Sequence, residues 1–322
     1  MPAALPQIAD LAALTSTLAA VGRPIAWLLL LGSAALFVAC VVPPLERWRY
    51  PLLAGVVGLL ALGEVLLCWF HLRLWQLAVV VDPGTGAVAG NVAVPPWVES
   101  EKLWVWGLMT GVMLLLARTH RREMLPLGGA LVAALVASAI VFGKPFTEPL
   151  PDFVAQYSQY LEAMGSGIPQ AASGAFQGMY GSMTYYYNSW YMWVHPPLLF
   201  ISYGAFVLSF AGSAIAWVKR RASYEATAYW WARLGYLPLT AGMLLGFPWA
   251  LLAWTGESWW WSGKVNMSIM MWLLYTAYLH LRLYLRKRGL WRWVLVLAFV
   301  SFAALVLTYL TTYVVPGAHS VA

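Results

Sequence analysis

Charge is scarce in this chain. Only 10% of its 322 residues are Asp, Glu, Lys or Arg, against 62% hydrophobic ones. A soluble globular domain carries about a quarter charged residues, so a water-exposed surface of ordinary size is excluded. With a mean hydropathy of +0.71, the chain reads as a polytopic membrane protein. Acidic residues are the scarcer sign, 12 against 19 basic ones, for a net charge of +7. The basic residues are scattered between apolar runs and form no recognition face. That excludes nucleic acid as a partner and marks them as topology determinants. Cysteine is nearly absent. Cys40 and Cys68 both lie in apolar runs and are expected as two unpaired, buried thiols. No Cys-x-x-Cys-His occurs, so the chain attaches no c-type haem to itself. The first 23 residues lack the basic start and cleavage site of a signal peptide. Ile8 to Ala20 is expected as a short amphipathic helix on the membrane surface. There is no internal repeat and no room for a soluble domain of the usual size.

What is present is a series of apolar runs. Eight spans can be read, each near the ~20 residues that a bilayer core demands. They fall at about Pro24–Val42, Pro51–Leu74, Leu103–Ala117, Leu125–Phe142, Met192–Val218, Leu234–Trp254, Asn266–Leu285 and Trp293–Val314. The fold expected is an all-α polytopic helical bundle. It divides into residues 1–191, with four helices and long outer loops, and residues 192–322, with four more. The connections alternate in charge. Arg47 and Arg49, Arg118, Arg121 and Arg122, Lys219 to Arg221, and Arg286 to Arg288 with Arg292 follow the odd spans. The even spans are followed by acidic connections, including Glu99, Asp152 and Glu257. By the positive-inside rule the basic side is cytoplasmic, and both termini face the periplasm or exterior of a bacterial inner membrane. The connection Lys144–Tyr191 is long and holds an amphipathic piece, Asp152–Met164. Tyr185 to Tyr187, Trp190, Tyr191 and Trp193 are expected as aromatic surface beside the fifth span.

One connection stands apart. Between Trp249 and Lys264 lie five tryptophans in sixteen positions: Trp249, Trp254, Trp259, Trp260 and Trp261. Such a cluster makes a flat, π-rich shelf suited to a large planar ligand. It is equally readable as an interfacial aromatic belt.

The five histidines separate by position. His120 sits among arginines and is expected to be solvated or to face headgroups. His71, near Arg73, is expected to snorkel to the interface. His195 opens the fifth span, and Pro196 and Pro197 suit a first helical turn. His319 lies in the C-terminal tail. These last two share the side of the tryptophan connection, so each can approach one face of a planar ligand there. Imidazole is a good axial ligand for haem iron. His195 is also readable as an interfacial polar residue, and His319 as part of a disordered tail. His280 lies 280 − 266 = 14 residues into the seventh span, roughly 21 Å deep. An ionisable residue at that depth is a functional candidate. It ligates a haem, hydrogen-bonds a neighbouring helix, or snorkels inward with Arg282. Glu64 in the second span is expected to face the bundle interior.

At these residues the chain resembles the CcsA/ResC-type cytochrome c biogenesis proteins, which form a haem-handling superfamily with CcmF and CcmC. The resemblance runs from Trp193 to the C-terminus. It rests on His195-Pro196-Pro197-Leu198-Leu199 with Ser202-Tyr203-Gly204, Gly242-x-x-x-Gly246-x-x-Trp249-Ala250, Tyr278-Leu279-His280-x-Arg282 and Gly317-Ala318-His319-Ser320. It implies a subunit that binds haem b and presents it on the outer face for attachment to apocytochrome c, as part of a cytochrome c synthase. His195 and His319 would ligate the presented haem, and His280 a transmembrane one. A CcsB/ResB-type membrane subunit would be the partner. One departure stands out. The family reads Trp-x-Trp-Asp-Pro where this chain has Trp259, Trp261, Ser262 and Gly263. Loss of that carboxylate favours the alternative, a structural or electron-transfer subunit of a respiratory complex that docks a partner or quinone. A solute transporter is disfavoured, because no paired discontinuous helices are visible.

Overall fold

A computed structural model describes residues 4–254, 260, 262–284 and 291–314. Among them are ten α-helices and one two-stranded hairpin. The helices are α1 (Ala4–Val41), α2 (Glu46–Leu77), α3 (Lys102–Leu116), α4 (Arg121–Ser138), α5 (Pro151–Gly165), α6 (Pro169–Ser182), α7 (Trp190–Lys219), α8 (Ala222–Ala253), α9 (Gly263–Leu283) and α10 (Trp291–Val314). Strands β1 (Val79–Val81) and β2 (Val88–Asn91) pair antiparallel after α2. The all-α polytopic bundle is therefore present, and every expected span is helical.

Among the described residues, six helical stretches are long and apolar enough to cross a membrane. The other two expected spans fall short for different reasons. Helix α3 has 15 residues, about 22 Å of rise, against a ~30 Å hydrocarbon core. Helix α9 has 21 residues but carries Lys264, Asn266, His280 and Arg282, which lower its hydropathy. The separate N-terminal surface helix is not found. Residues Ile8–Ala20 continue without a break into the first span as α1. Gly22 and Pro24 both lie inside this helix. Gly22 is a packing residue, because a Cβ there would overlap the Phe146 ring.

The chain forms two compact units. The first takes Met1–Leu36, Ala54–Leu108 and Ala133–Val194. The second takes Phe37–Leu53, Met109–Val132 and His195–Ala322.

In the first unit, Trp104 of α3 is fully buried edge-on against Phe146, with ring centroids 5.1 Å apart. Gly63 of α2 admits its indole, since any side chain there would overlap it. His71 does not snorkel. It is buried, with Nδ1 2.7 Å from the Val94 carbonyl and Nε2 2.9 Å from both carboxylate oxygens of the fully buried Glu101. Its partner lies 30 residues downstream, so Arg73, its neighbour in sequence, misled the expectation. Arg73 instead donates to Gln76. Glu64 does point inward, with Oε2 buried and unpartnered among the described residues. Cys68 is exposed rather than buried, whereas Cys40 is buried as expected. In a span both helix faces are apolar, so composition could not tell them apart.

The long connection after α4 is mostly α5 and α6. Their tyrosines serve the hairpin. Tyr157 Oη accepts from Val79 N–H at 3.0 Å, and Tyr160 Oη accepts from Val81 N–H at 2.7 Å. Tyr160 Oη also donates to the Val81 carbonyl. Asn188 grips the other strand's end, accepting from Ala93 N–H and donating to the Asn91 carbonyl. Tyr187, expected on the surface, is buried and donates to Glu99 Oε1 at 3.2 Å. Glu99 Oε2 accepts the Asp152 N–H at 2.9 Å. Burial, then the nearby Asp152 charge, pushes the Glu99 carboxyl up to about 7.

In the second unit, α7, α9 and α10 share an aromatic core. Phe206 stacks on Tyr275 at 3.6 Å, and Phe210 stacks on Phe302 at 4.2 Å.

Candidate functional site

His195 lies in the second turn of α7, not in its first turn, because α7 begins at Trp190. Two prolines inside a helix remove two backbone donors. The carbonyl that Pro196 leaves unpaired is that of Met192, four residues earlier. Trp97 Nε1–H fills it at 2.7 Å. An indole from a distant connection thus satisfies one of the two carbonyls that Pro196 and Pro197 free within the helix.

The imidazole is fixed from α8. His195 Nδ1 lies 2.6 Å from the Gly242 carbonyl. A carbonyl only accepts, so Nδ1 carries the hydrogen. In a neutral ring Nε2 then keeps its lone pair, and a lone pair on Nε2 is what binds a metal. Gly246, one turn on, lets the ring lie against the helix backbone. A Cβ there would stand 2.8 Å from His195 Cε1. The Gly242-x-x-x-Gly246 spacing therefore has a local meaning: one glycine offers its carbonyl, and the next makes room. Trp249, another turn on, is buried, and its ring is roughly parallel to the imidazole at 6.2 Å between centroids. Trp254 meets Trp249 edge-on at 4.7 Å. Trp260 is half exposed and stacks on Phe247 at 5.4 Å. So His195, Trp249 and Trp254 are brought together. Trp259, Trp261 and His319 lie outside the described residues.

Ser262 occupies the position that departs from the family pattern. It is the N-cap of α9, with Oγ accepting from Val265 N–H at 3.3 Å. Asp-Pro is a natural N-cap and first-turn pair, and Ser-Gly here fills the same two positions. The substitution keeps the helix start and discards the charge.

His280 is not part of this cluster. It sits 280 − 263 = 17 residues along α9, roughly 26 Å from the tryptophan end, in the helix's last turn and exposed. Its Nδ1 lies 2.8 Å from the Thr276 carbonyl, which again leaves Nε2 as the outward lone pair. A polar ladder that sequence reasoning missed sets the α8–α9 register. Trp272 Nε1–H donates to Thr240 Oγ1 at 3.0 Å, and the Tyr236 and Thr276 hydroxyls meet at 2.7 Å. Arg282 does not snorkel. It clasps the buried Glu225 with two hydrogen bonds, of 3.0 and 3.1 Å, and its guanidinium lies 4.5 Å from the Tyr229 ring centroid. Apolar spacing flags none of these pairs, but Glu225 at the head of an apolar run was a signal available in the sequence.

The fold and the cluster together define a multi-pass helical membrane protein with an imidazole held at a tryptophan-rich helix end. Comparison with known proteins narrows this. The Cytochrome C assembly protein family matches residues 94–319, and the chain belongs to that family. Among curated relatives, the probable cytochrome c-type biogenesis protein NrfE of Escherichia coli is 40% identical over 127 residues, 38% of this chain and 22% of that protein. CcmF of Haemophilus influenzae is 28% identical over 216 residues, 62% of this chain and 29% of that protein. CycK of Bradyrhizobium diazoefficiens is 35% identical over 128 residues, 38% of this chain and 19% of that protein. The chain thus matches less than a third of the length of each. Its fold is similar to that of a solved cytochrome c heme lyase CcmF, with a TM-score of 0.59 and 21% identity, over 92% of this chain and 47% of that one.

Proposed function

We propose that this chain binds haem b at the tryptophan-bearing end of α8 and presents it for covalent attachment to an apocytochrome c. The observation that carries the reading is the tethered imidazole: His195 Nδ1–H is spent on the Gly242 carbonyl, so Nε2 is the donor atom. Haem is cargo here, supplying iron for axial ligation and vinyl carbons across which apocytochrome thiols add, S–H across C=C, with no net change in electrons. His195 gives one ligand and His319 the other. Trp249, Trp254 and Trp259 to Trp261 provide an apolar shelf that excludes water from the porphyrin face. Residues 192–322 are the haem-handling core, and residues 1–191 are its membrane and outer-loop support. His280 ligates a second, transmembrane haem, and its exposed position on α9 leaves the opposite ligand to another helix or to a CcsB/ResB-type subunit. The protein works in the bacterial inner membrane with the tryptophan connection on the periplasmic side, within a cytochrome c synthase complex. The capping role of Ser262 accounts for the departure that favoured an electron-transfer subunit.

The test is the absorption spectrum of the purified protein, alone and with a CcsB/ResB-type subunit. A Soret band is expected in wild type and a weaker one in His195→Ala. Absence of the band in both preparations of wild type refutes haem binding. Normal c-type cytochrome assembly with both His195 and His319 changed to Ala refutes their role.

A further inference from the structure

The turn between α3 and α4 is short and ends on His120, whose φ is +51°. It shapes a cleft of 680 Å³, lined among others by Tyr50, Leu115, Leu116, Arg118, Arg121 and Arg122. Three arginines face one carboxylate, Glu123, so the lining carries 3 − 1 = +2 charges. Arg121 is anchored. Its Nη1–H donates to the Leu115 carbonyl at 3.2 Å, and its guanidinium lies 4.5 Å from the Tyr50 ring centroid. Arg118 and Arg122 are exposed and, among the described residues, make no ion pair. The His120 ring meets Tyr224 at 4.4 Å, which brings the start of α8, just after Lys219, Arg220 and Arg221, to the same place and adds positive potential.

We propose that this cleft binds the phosphate headgroup of an anionic phospholipid. Two observations choose a lipid over a free anion. First, the membrane-crossing stretch Arg121–Gly143 begins at Arg121, so the cleft lies at the level where headgroups lie. Second, one wall is apolar: Leu116 is 73% exposed and Leu115 stands beside it. An acyl chain covers such a wall, and a hydrated inorganic ion does not. Basic pockets between membrane helices hold anionic headgroups, each arginine contributing about 5-fold in affinity. Arg118 and Arg122 supply the charge, and Arg121 with Tyr50 forms the fixed side.

The experiment titrates the purified full chain with dioleoyl phosphatidylglycerol or dioleoyl phosphatidylcholine and counts bound lipid by native mass spectrometry. The acyl chains are identical, so only the headgroup charge differs. The expected result is preferential retention of phosphatidylglycerol. Combining Arg118→Gln with Arg122→Gln should weaken it about 30-fold, with phosphatidylcholine unaffected. Combining Arg118→Lys with Arg122→Lys should keep most of the preference, and Arg47→Gln, outside the cleft, should keep all of it. Equal retention of the two lipids overturns the proposal, as does unchanged retention in the double glutamine variant. Displacement of phosphatidylglycerol by millimolar inorganic phosphate also overturns it, by showing a site for the free anion.

Discussion

With His195 as the proposed haem ligand, replacing Gly246 by alanine should weaken haem binding about tenfold while leaving α8 folded. The new Cβ would stand 2.8 Å from His195 Cε1 and 3.2 Å from Nδ1. Carbon atoms rest about 3.5–4.0 Å apart, so the ring must retreat by roughly 0.7 Å or more. That retreat stretches the 2.6 Å bond from Nδ1 to the Gly242 carbonyl beyond useful length. The lost hydrogen bond costs about 0.5–1.5 kcal/mol, and crowding adds about 1–3 kcal/mol. Against this, alanine in a helix interior is favoured over glycine by about 1 kcal/mol. Stability should therefore fall only modestly, while the ligand atom moves out of register. A displacement worth about 1.4 kcal/mol in ligation is tenfold in haem affinity. The assay is Soret absorbance per mole of purified protein, read beside a melting curve. Gly242→Ala is the control, because its Cβ meets Leu199 Cδ2 at 2.9 Å, the end of a flexible chain that can rotate away. If Gly246→Ala retains haem like wild type while His195→Ala does not, the close approach does not position the ring. If both glycine variants lose haem equally, general helix packing is responsible.

Three further outcomes are expected. Glu101→Leu leaves the buried His71 ring without its carboxylate and should cost about 3–5 kcal/mol, seen as a lowered melting temperature that the His71→Phe/Glu101→Leu pair largely restores. The Glu99 carboxyl titrates near 7 in the folded protein against an ordinary 4.5, so its contribution to stability is fully present below 4.5 and is lost as pH rises through about 7; thermal unfolding should show that decline between pH 5 and 8, and Glu99→Gln should flatten it. Tyr157→Phe strips Val79 of its hydroxyl partner and should cost about 1–3 kcal/mol, with faster amide hydrogen exchange at Val79 than at Val80.

The helices were legible because apolar runs of bilayer length have few other uses. All eight expected spans are helical, and the amphipathic piece Asp152–Met164 is α5. What stayed hidden was pairing across the sequence. Nothing near His71 pointed to Glu101, and nothing near His195-Pro196-Pro197 pointed to Trp97. Local neighbours, Arg73 in one case and a presumed helix start in the other, supplied the wrong context. The role of Gly22 was hidden in the same way: a glycine that admits a ring cannot be recognised until the ring, Phe146, is in place. At the candidate site the types and order of residues were readable, His195 and the tryptophans above all. The tether to Gly242 and the clearance at Gly246 were not, because both arise from two helices meeting side by side. The Ser262 departure looked like a loss until its position as N-cap gave the residue a task.

The hydroxyls of Tyr157 and Tyr160 bear on how another polypeptide can approach. A free strand margin invites a visiting chain to extend the sheet. Here the outward amides of β1 are already occupied by phenols, and the Asn188 carboxamide holds the neighbouring strand's end in the manner of a third strand. Addition of a strand from another chain is thereby closed off at these positions. A polypeptide that meets this hairpin does so through its side chains and not by pairing its backbone with β1.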